Sequence, residues 1–111
     1  MVRSTPDYRI AIEPGHAVLD GVLRLNSALA YESVLEEVRD GVAQARDMFV
    51  IDVRGLVFLN SSGITALTRL VLLARDRRIT LVFNGQREVP WQRRTLVTLR
   101  RLYSDLVVDL D

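Results

Sequence analysis

Phe49 to Arg75 reads FVIDVRGLVFLNSSGITALTRLVLLAR. It opens on an apolar run, Phe49-Val50-Ile51, that ends at Asp52. A short connection leads to Asn60-Ser61-Ser62-Gly63, and a long apolar helical pattern follows. The run, the connection and the polar cluster predict a buried strand, a loop and a helix N-terminus capped by Ser61 or Ser62. The predicted helix runs to about Arg75, with Ile64, Leu67, Val71 and Ala74 on one stripe and Leu70, Leu72 and Leu73 widening it. Two neighbouring hydroxyls thus stand where unpaired backbone N–H groups point out of a helix. That position favours negative charge, by about 0.3–1 kcal/mol when exposed.

Upstream of this stretch, Tyr8 to Ile12 and Ala17 to Leu25 read as extended segments joined by a Pro14-Gly15 turn, close enough to pair antiparallel. Asn26 or Ser27 caps a predicted helix to about Ala45, whose buried stripe is Tyr31, Val34, Leu35, Val38, Val42 and Ala45. Met48 to Val53, apolar throughout, suits a strand covered on both faces. Downstream come a strand from Ile79 to Phe83, a loop holding Pro90 and Trp91, a helix from about Gln92 to Tyr103, and a strand from Leu106 to Leu110. Trp91 is expected as a lid over the core. Residues 1–7 read as a loose terminus. The order is β-β-α-β-α-β-α-β, an α/β fold with a mixed, mostly parallel sheet.

Composition narrows the function classes. A chain of 111 residues is one domain in length. Its 49% hydrophobic and 26% charged residues are those of a soluble globular protein. No apolar run approaches the roughly 18 residues of a membrane span, and no secretion signal opens the chain. With no Cys there is no disulfide framework or thiolate metal site. The expectation is a cytoplasmic domain over residues 1–111, with no membrane contact, no metal and no cofactor. A net charge of +1 argues against nucleic acid as the partner of the whole domain. The basic residues are nevertheless all Arg apart from His16, and they crowd the second half, from Arg69 to Arg101. Solvated helix faces account for such a pattern, and so does an anion- or partner-binding face.

Catalysis finds little support. His16 is the single histidine, and the Gly-x-Ser-x-Gly elbow, the phosphate-binding Gly-x-x-x-x-Gly-Lys loop and metal-spaced His/Asp/Glu clusters are all missing. The chain is expected not to be an enzyme.

The element order and the motif Asn60-Ser61-Ser62-Gly63-Ile64 resemble the STAS domain family, the sulfate transporter and anti-sigma factor antagonist domains. The match also rests on the segment that reaches Gly21 before the Asn26-Ser27 cap, and on the strand that leads to the Pro90 loop. It spans almost the whole chain. The resemblance implies the fold of the stand-alone anti-sigma factor antagonists. In those bacterial regulators the first Ser of Asp-Ser-Ser-Gly is phosphorylated by a serine kinase that is itself the anti-sigma factor. Carried over, it makes Ser61 the acceptor, with Ser62 as the alternative. It also implies a protein-binding surface of Leu56, Phe58, Leu59, Asn60, Ser61, Ser62, Gly63 and Ile64, with Leu56 to Leu59 as an apolar loop.

Three features depart from the family pattern. Asn60 stands where Asp is usual, Val22-Leu23-Arg24 follows Gly21 where an acidic residue is frequent, and the terminal fourth helix of many members is lacking. Single-domain regulators elsewhere in bacterial signalling, some with Asn at this place, look similar too. The expected function is partner switching controlled by serine phosphorylation. An interaction without phosphorylation, or an anion- or nucleotide-binding module, is the alternative. An open sheet edge would also permit a homodimer.

Overall fold

The computed structural model describes residues 1–111. Its strands are β1 (Val2–Ser4), β2 (Tyr8–Glu13), β3 (His16–Leu23), β4 (Met48–Asp52), β5 (Leu56–Leu59), β6 (Thr80–Gly85) and β7 (Val107–Leu110). Its helices are α1 (Ala28–Val34), α2 (Glu36–Gln44), α3 (Ser61–Arg77) and α4 (Pro90–Leu99). The sheet runs β1-β2-β3-β4-β6-β7, antiparallel across the first three strands and parallel beyond. β5 continues the line of β4 and pairs parallel with the far end of β3.

Strand alternation sorts the two faces of the sheet. Ile10, Leu19, Ala17, Ile51, Phe83, Phe49 and Leu81 lie in register on one face and are buried. They share a single core with Tyr31, Leu35, Val38 and Val42 of the first helical segment, Leu67 and Val71 of α3, and Leu96 and Leu99 of α4. Burying a side chain of this size contributes about 1.5–3 kcal/mol, so this face holds the domain together. The expectation that β4 is covered on both faces is corrected here. Val50 and its neighbours Val82 and His16 are only half-buried on the opposite face, while every helix packs on the first.

Residues 1–7, read from sequence as a loose terminus, include an edge strand. β1 pairs with β2, and the amino group of Met1 donates to the Ile12 carbonyl at 2.9 Å. The predicted helix to Ala45 turns at Leu35, whose backbone leaves helical geometry (φ −98°, ψ 12°) while its side chain stays in the core. The last helix ends at Leu99 rather than Tyr103, and Leu102 is left exposed. No helix is long and apolar enough to cross a membrane.

Candidate functional site

The segment from Leu56 to Leu59 is a strand and not the loop read from sequence. Gly21, Val22 and Leu23 of β3 pair with Leu56, Phe58 and Leu59, which leaves Val57 as an extra residue. Such a bulge shifts the alternation by one position. Leu56 and Leu59 therefore both point into the core, at 0% and 5% exposure. Expected on a docking surface, they are packing residues. Val57 and Phe58 take the outward positions, at 58% and 43% exposure. Arg24 lies over the Phe58 ring, 5.2 Å from its centroid. At an exposed site such a contact contributes about 0.5–1 kcal/mol and steadies the ring in solvent.

β5 delivers the chain directly to α3. The helix cap is Asn60 and neither serine. Asn60 is extended (φ −80°, ψ 176°), and its Oδ1 accepts from the Gly63 N–H at 3.1 Å. The same oxygen accepts from the Tyr31 hydroxyl at 2.6 Å, and Nδ2 donates to the Leu25 carbonyl at 2.9 Å. Burial pushes the Tyr31 phenol above its usual pKa, with the Leu25 backbone opposing in part. The phenol therefore remains a donor to the cap. Asn60 thus faces inward and ties α3 to both α1 and the segment that precedes it.

This geometry explains why an amide stands here. An Asp would keep the two acceptor contacts and would itself be a good cap. Its second oxygen would meet the Leu25 carbonyl, acceptor against acceptor. Asn60→Asp is expected to lower the urea-unfolding free energy by about 1–2 kcal/mol. An unchanged or raised midpoint would show that the Leu25 contact contributes nothing.

Among the first N–H groups of α3, that of Asn60 goes to the Leu23 carbonyl and that of Gly63 to the cap. Those of Ser61 and Ser62 are left at the helix mouth. Ser61 is exposed. Ser62 is half-buried and lines a groove of about 600 Å³ between α1 and α3, with Leu29, Tyr31, Leu35, Ala66 and Leu70 among its walls. Leu29 is 74% exposed. Gly63 is buried beneath Leu59 and the Tyr31 hydroxyl, and Ile64 is half-buried. Of the residues expected at this site, Phe58 and Ser61 are exposed, and Ser62 and Ile64 are half-buried, Ser62 on the α1 side of α3 and Ile64 on the α4 side. Leu56, Leu59, Asn60 and Gly63 support them from beneath.

Sequence reasoning missed the clamp behind β5. Gln92, fully buried, donates from Nε2 to the Val53 and Leu56 carbonyls, and its Oε1 accepts from the Gln86 N–H at 2.7 Å. Trp91 Nε1 also donates to the Leu56 carbonyl, at 2.8 Å, while its ring packs half-buried against the core. The first turn of α4 therefore holds the Val53–Leu56 connection in place. A Gln is ordinarily exposed, so its sequence gives no signal. Nearby, burial works to raise the Asp52 pKa, but hydrogen bonds from the Arg54 side chain and backbone outweigh it and hold the carboxyl below its usual range.

His16 does not join the serines. It opens β3, while Ser61 follows the strand paired with the other end of β3, so about 20 Å of strand rise separates them. No cluster of His, Asp or Glu is arranged to hold a metal ion.

No protein-family model matches the chain, and no curated protein matches it either. Solved structures do. A chain in the crystal structure of diguanylate cyclase SiaD in complex with its activator SiaC, from Pseudomonas aeruginosa, is similar with a TM-score of 0.74 and 17% identity. That match covers 99% of this chain and 97% of the other. Apo-SiaC from the same organism is similar with a TM-score of 0.62 and 16% identity, over 100% of this chain and 98% of the other. At such identities the likeness is one of fold: seven strands in a mixed sheet with four helices on one face, the STAS-like α/β fold shared with SiaC.

Proposed function

We propose that this chain is a regulatory protein-binding module whose partner docks over the N-terminus of α3, and that phosphorylation of Ser61 releases it. Ser62 is the alternative acceptor. The reading rests on one observation: Ser61 is exposed at the mouth of α3, beside the outward-facing Val57 and Phe58. SiaC, whose fold this chain shares, is an activator in complex with the diguanylate cyclase SiaD, which supports a signalling protein as the partner. A serine kinase of the anti-sigma factor type is the modifying partner that the Ser-Ser-Gly motif suggests. The proposal gives the chain no catalytic step.

The chemistry suits a switch. A phosphoryl group adds about −1.5 to −2 charge at pH 7. The free N–H groups of Ser61 and Ser62 satisfy part of it, so the fold survives the modification. A partner seated on the same spot must desolvate the dianion, at a cost of several kcal/mol. Only about 1.4 kcal/mol is needed for a tenfold loss of affinity. The electrostatic penalty therefore exceeds what release requires, without a conformational change.

The test compares capture of the partner from the native host by immobilised Ser61→Ala and Ser61→Asp proteins. Capture by Ser61→Asp should fall at least about tenfold, since the added charge sits within the docking surface. Equal capture by both variants removes the switch. Mass spectrometry of Ser61 and Ser62 in protein from the host then identifies the acceptor. Captured partner with both hydroxyls unmodified under all growth conditions would leave a constitutive docking surface.

A further inference from the structure

The first turn of α3 lies between two grooves of different electrostatic character. The α1–α3 groove is rimmed by Glu32, Glu36, Arg39 and Arg69, with Glu32 and Arg69 bridged at 3.2 Å. Its charges compensate one another. The second groove, of about 510 Å³, runs between α3 and α4, and its charged lining residues are Arg94 and Arg101. No acidic residue lines it.

The imbalance extends along the whole α4 segment. Pro90 to Tyr103 holds Arg93, Arg94, Arg100 and Arg101 and no Asp or Glu. None of these four forms an ion pair, whereas Arg3, Arg39, Arg54, Arg69 and Arg75 each do. Acidic and basic residues are nearly equal in number, 14 against 15, so this is segregation of charge and not an excess of it. The groove floor is apolar, formed by Ile64, Leu99 and the exposed Leu102. The hydroxyls of Thr68 and Thr98 turn back onto the Ile64 and Arg94 carbonyls of their own helices, at 2.9 and 2.8 Å. They therefore add little polarity to the walls.

We infer that the α3–α4 groove receives an acidic amphipathic segment of the partner protein. Its carboxylates pair with Arg94 and Arg101, and its apolar side chains cover Ile64, Leu99 and Leu102. Guanidinium forks suit carboxylates, and an apolar floor between cations selects a chain with both characters. The same cations would attract nucleic acid, but the lining holds no aromatic ring on which a base could stack. Ile64 lies one turn from Ser61, so the segment ends near the switch. A phosphoserine there repels an acidic partner, which fits the direction of release. The inference rests on the protein-docking reading above and is independent of whether Ser61 is modified.

The experiment uses a fluorescent synthetic peptide of about 18 residues, with Leu at helical i, i+3, i+4 and i+7 spacing and Glu on its flanks. Its Lys counterpart is the control, and binding to the full chain is followed by anisotropy. The Glu peptide should bind at least about tenfold more tightly than the Lys peptide, and weaken as salt rises from about 50 to about 300 mM. Arg94→Glu/Arg101→Glu should cost it at least about tenfold, whereas Arg9→Glu/Arg46→Glu, away from the groove, should change it less than about twofold. Amide resonances of Ile64, Thr68, Thr98 and Leu102 should move on titration. No binding of the Glu peptide, equal loss in both double variants, or displacement of the peptide by a single-stranded oligonucleotide at lower concentration overturns the inference. The two ideas fail separately. A Ser61→Asp protein that keeps its partner removes the switch and leaves the groove, and a partner retained by Arg94→Glu/Arg101→Glu removes the groove and leaves the switch.

Discussion

Gly21→Ala lowers the melting temperature by at least about 10 °C, the expected result of strain and collision at one position. Gly21 has φ +95°, where a side chain is strained, and an added Cβ would lie 2.3 Å from the Asp7 carbonyl oxygen and 3.0 Å from the Tyr8 Cα. Both neighbours are backbone, so neither can rotate aside. The position is also tied down from two directions: the Gly21 N–H donates to the Gly55 carbonyl and the Val22 N–H to the Asp7 carbonyl, at 2.8 and 2.9 Å. Conformational strain of about 1–2 kcal/mol and overpacking of about 1–3 kcal/mol add to roughly 3 kcal/mol. Gly55→Ala is the control, because its added methyl meets the Asp20 side chain, which can move. That change should cost less than about 1 kcal/mol. Thermal unfolding followed by circular dichroism reads both. Equal melting temperatures for Gly21→Ala and the unaltered chain would show that the backbone at Gly21, opposite the β5 bulge, is not rigid.

Gln92→Met has the second large effect and tests how β5 is held. Met preserves the length and apolar body of the side chain but removes the amide. The Val53 carbonyl keeps the Leu56 N–H and the Leu56 carbonyl keeps Trp91, but the Gln86 N–H loses the Gln92 Oε1. Leaving a buried donor unpaired costs about 1–3 kcal/mol, and the weakened carbonyl contacts bring the total to about 2–4 kcal/mol. The loss should appear as a lower urea midpoint with an unchanged slope. Hydrogen exchange should also speed up along β5 and the first turn of α3 before it does so elsewhere. Uniform acceleration across the sheet would mean that Gln92 supports the fold as a whole and does not brace the docking surface in particular.

Much of this arrangement is legible without coordinates. The alternation in β2, the 3-4 spacing through Tyr31, Val38 and Val42, and the apolar helix after Gly63 each follow from a local period; of the core residues they name, Ile10, Tyr31, Leu35, Val38, Val42, Leu67, Val71 and Ala74 are buried, and Tyr8, Ile12, Val34 and Ile64 are half-buried. The serines at the mouth of α3 are legible for the same reason, since a polar cluster before an apolar helix is a local signal. Leu56 to Leu59 was not. Four apolar residues in a row carry no alternation from which to tell inward from outward, and the bulge at Val57 exists only because β3 changes partner at Gly21. Gln92 escaped for a related reason. Its burial depends on backbone groups of Val53, just after β4, of Leu56 in β5 and of Gln86, just after β6, and the first two lie more than 30 residues away in sequence.

The sequence by itself determined the order of the main elements (though not β1, β5 or the break at Leu35), the mixed α/β class and the place of Ser61 at a helix entrance, because periodicity and capping act between residues a few positions apart. Only the tertiary structure decided which side chains near that entrance face outward, that Asn60 is the cap, and that the arginines of α4 gather along an apolar groove. These depend on strand register and helix packing, where contacts form between segments tens of residues apart and a shift of one position exchanges core for surface.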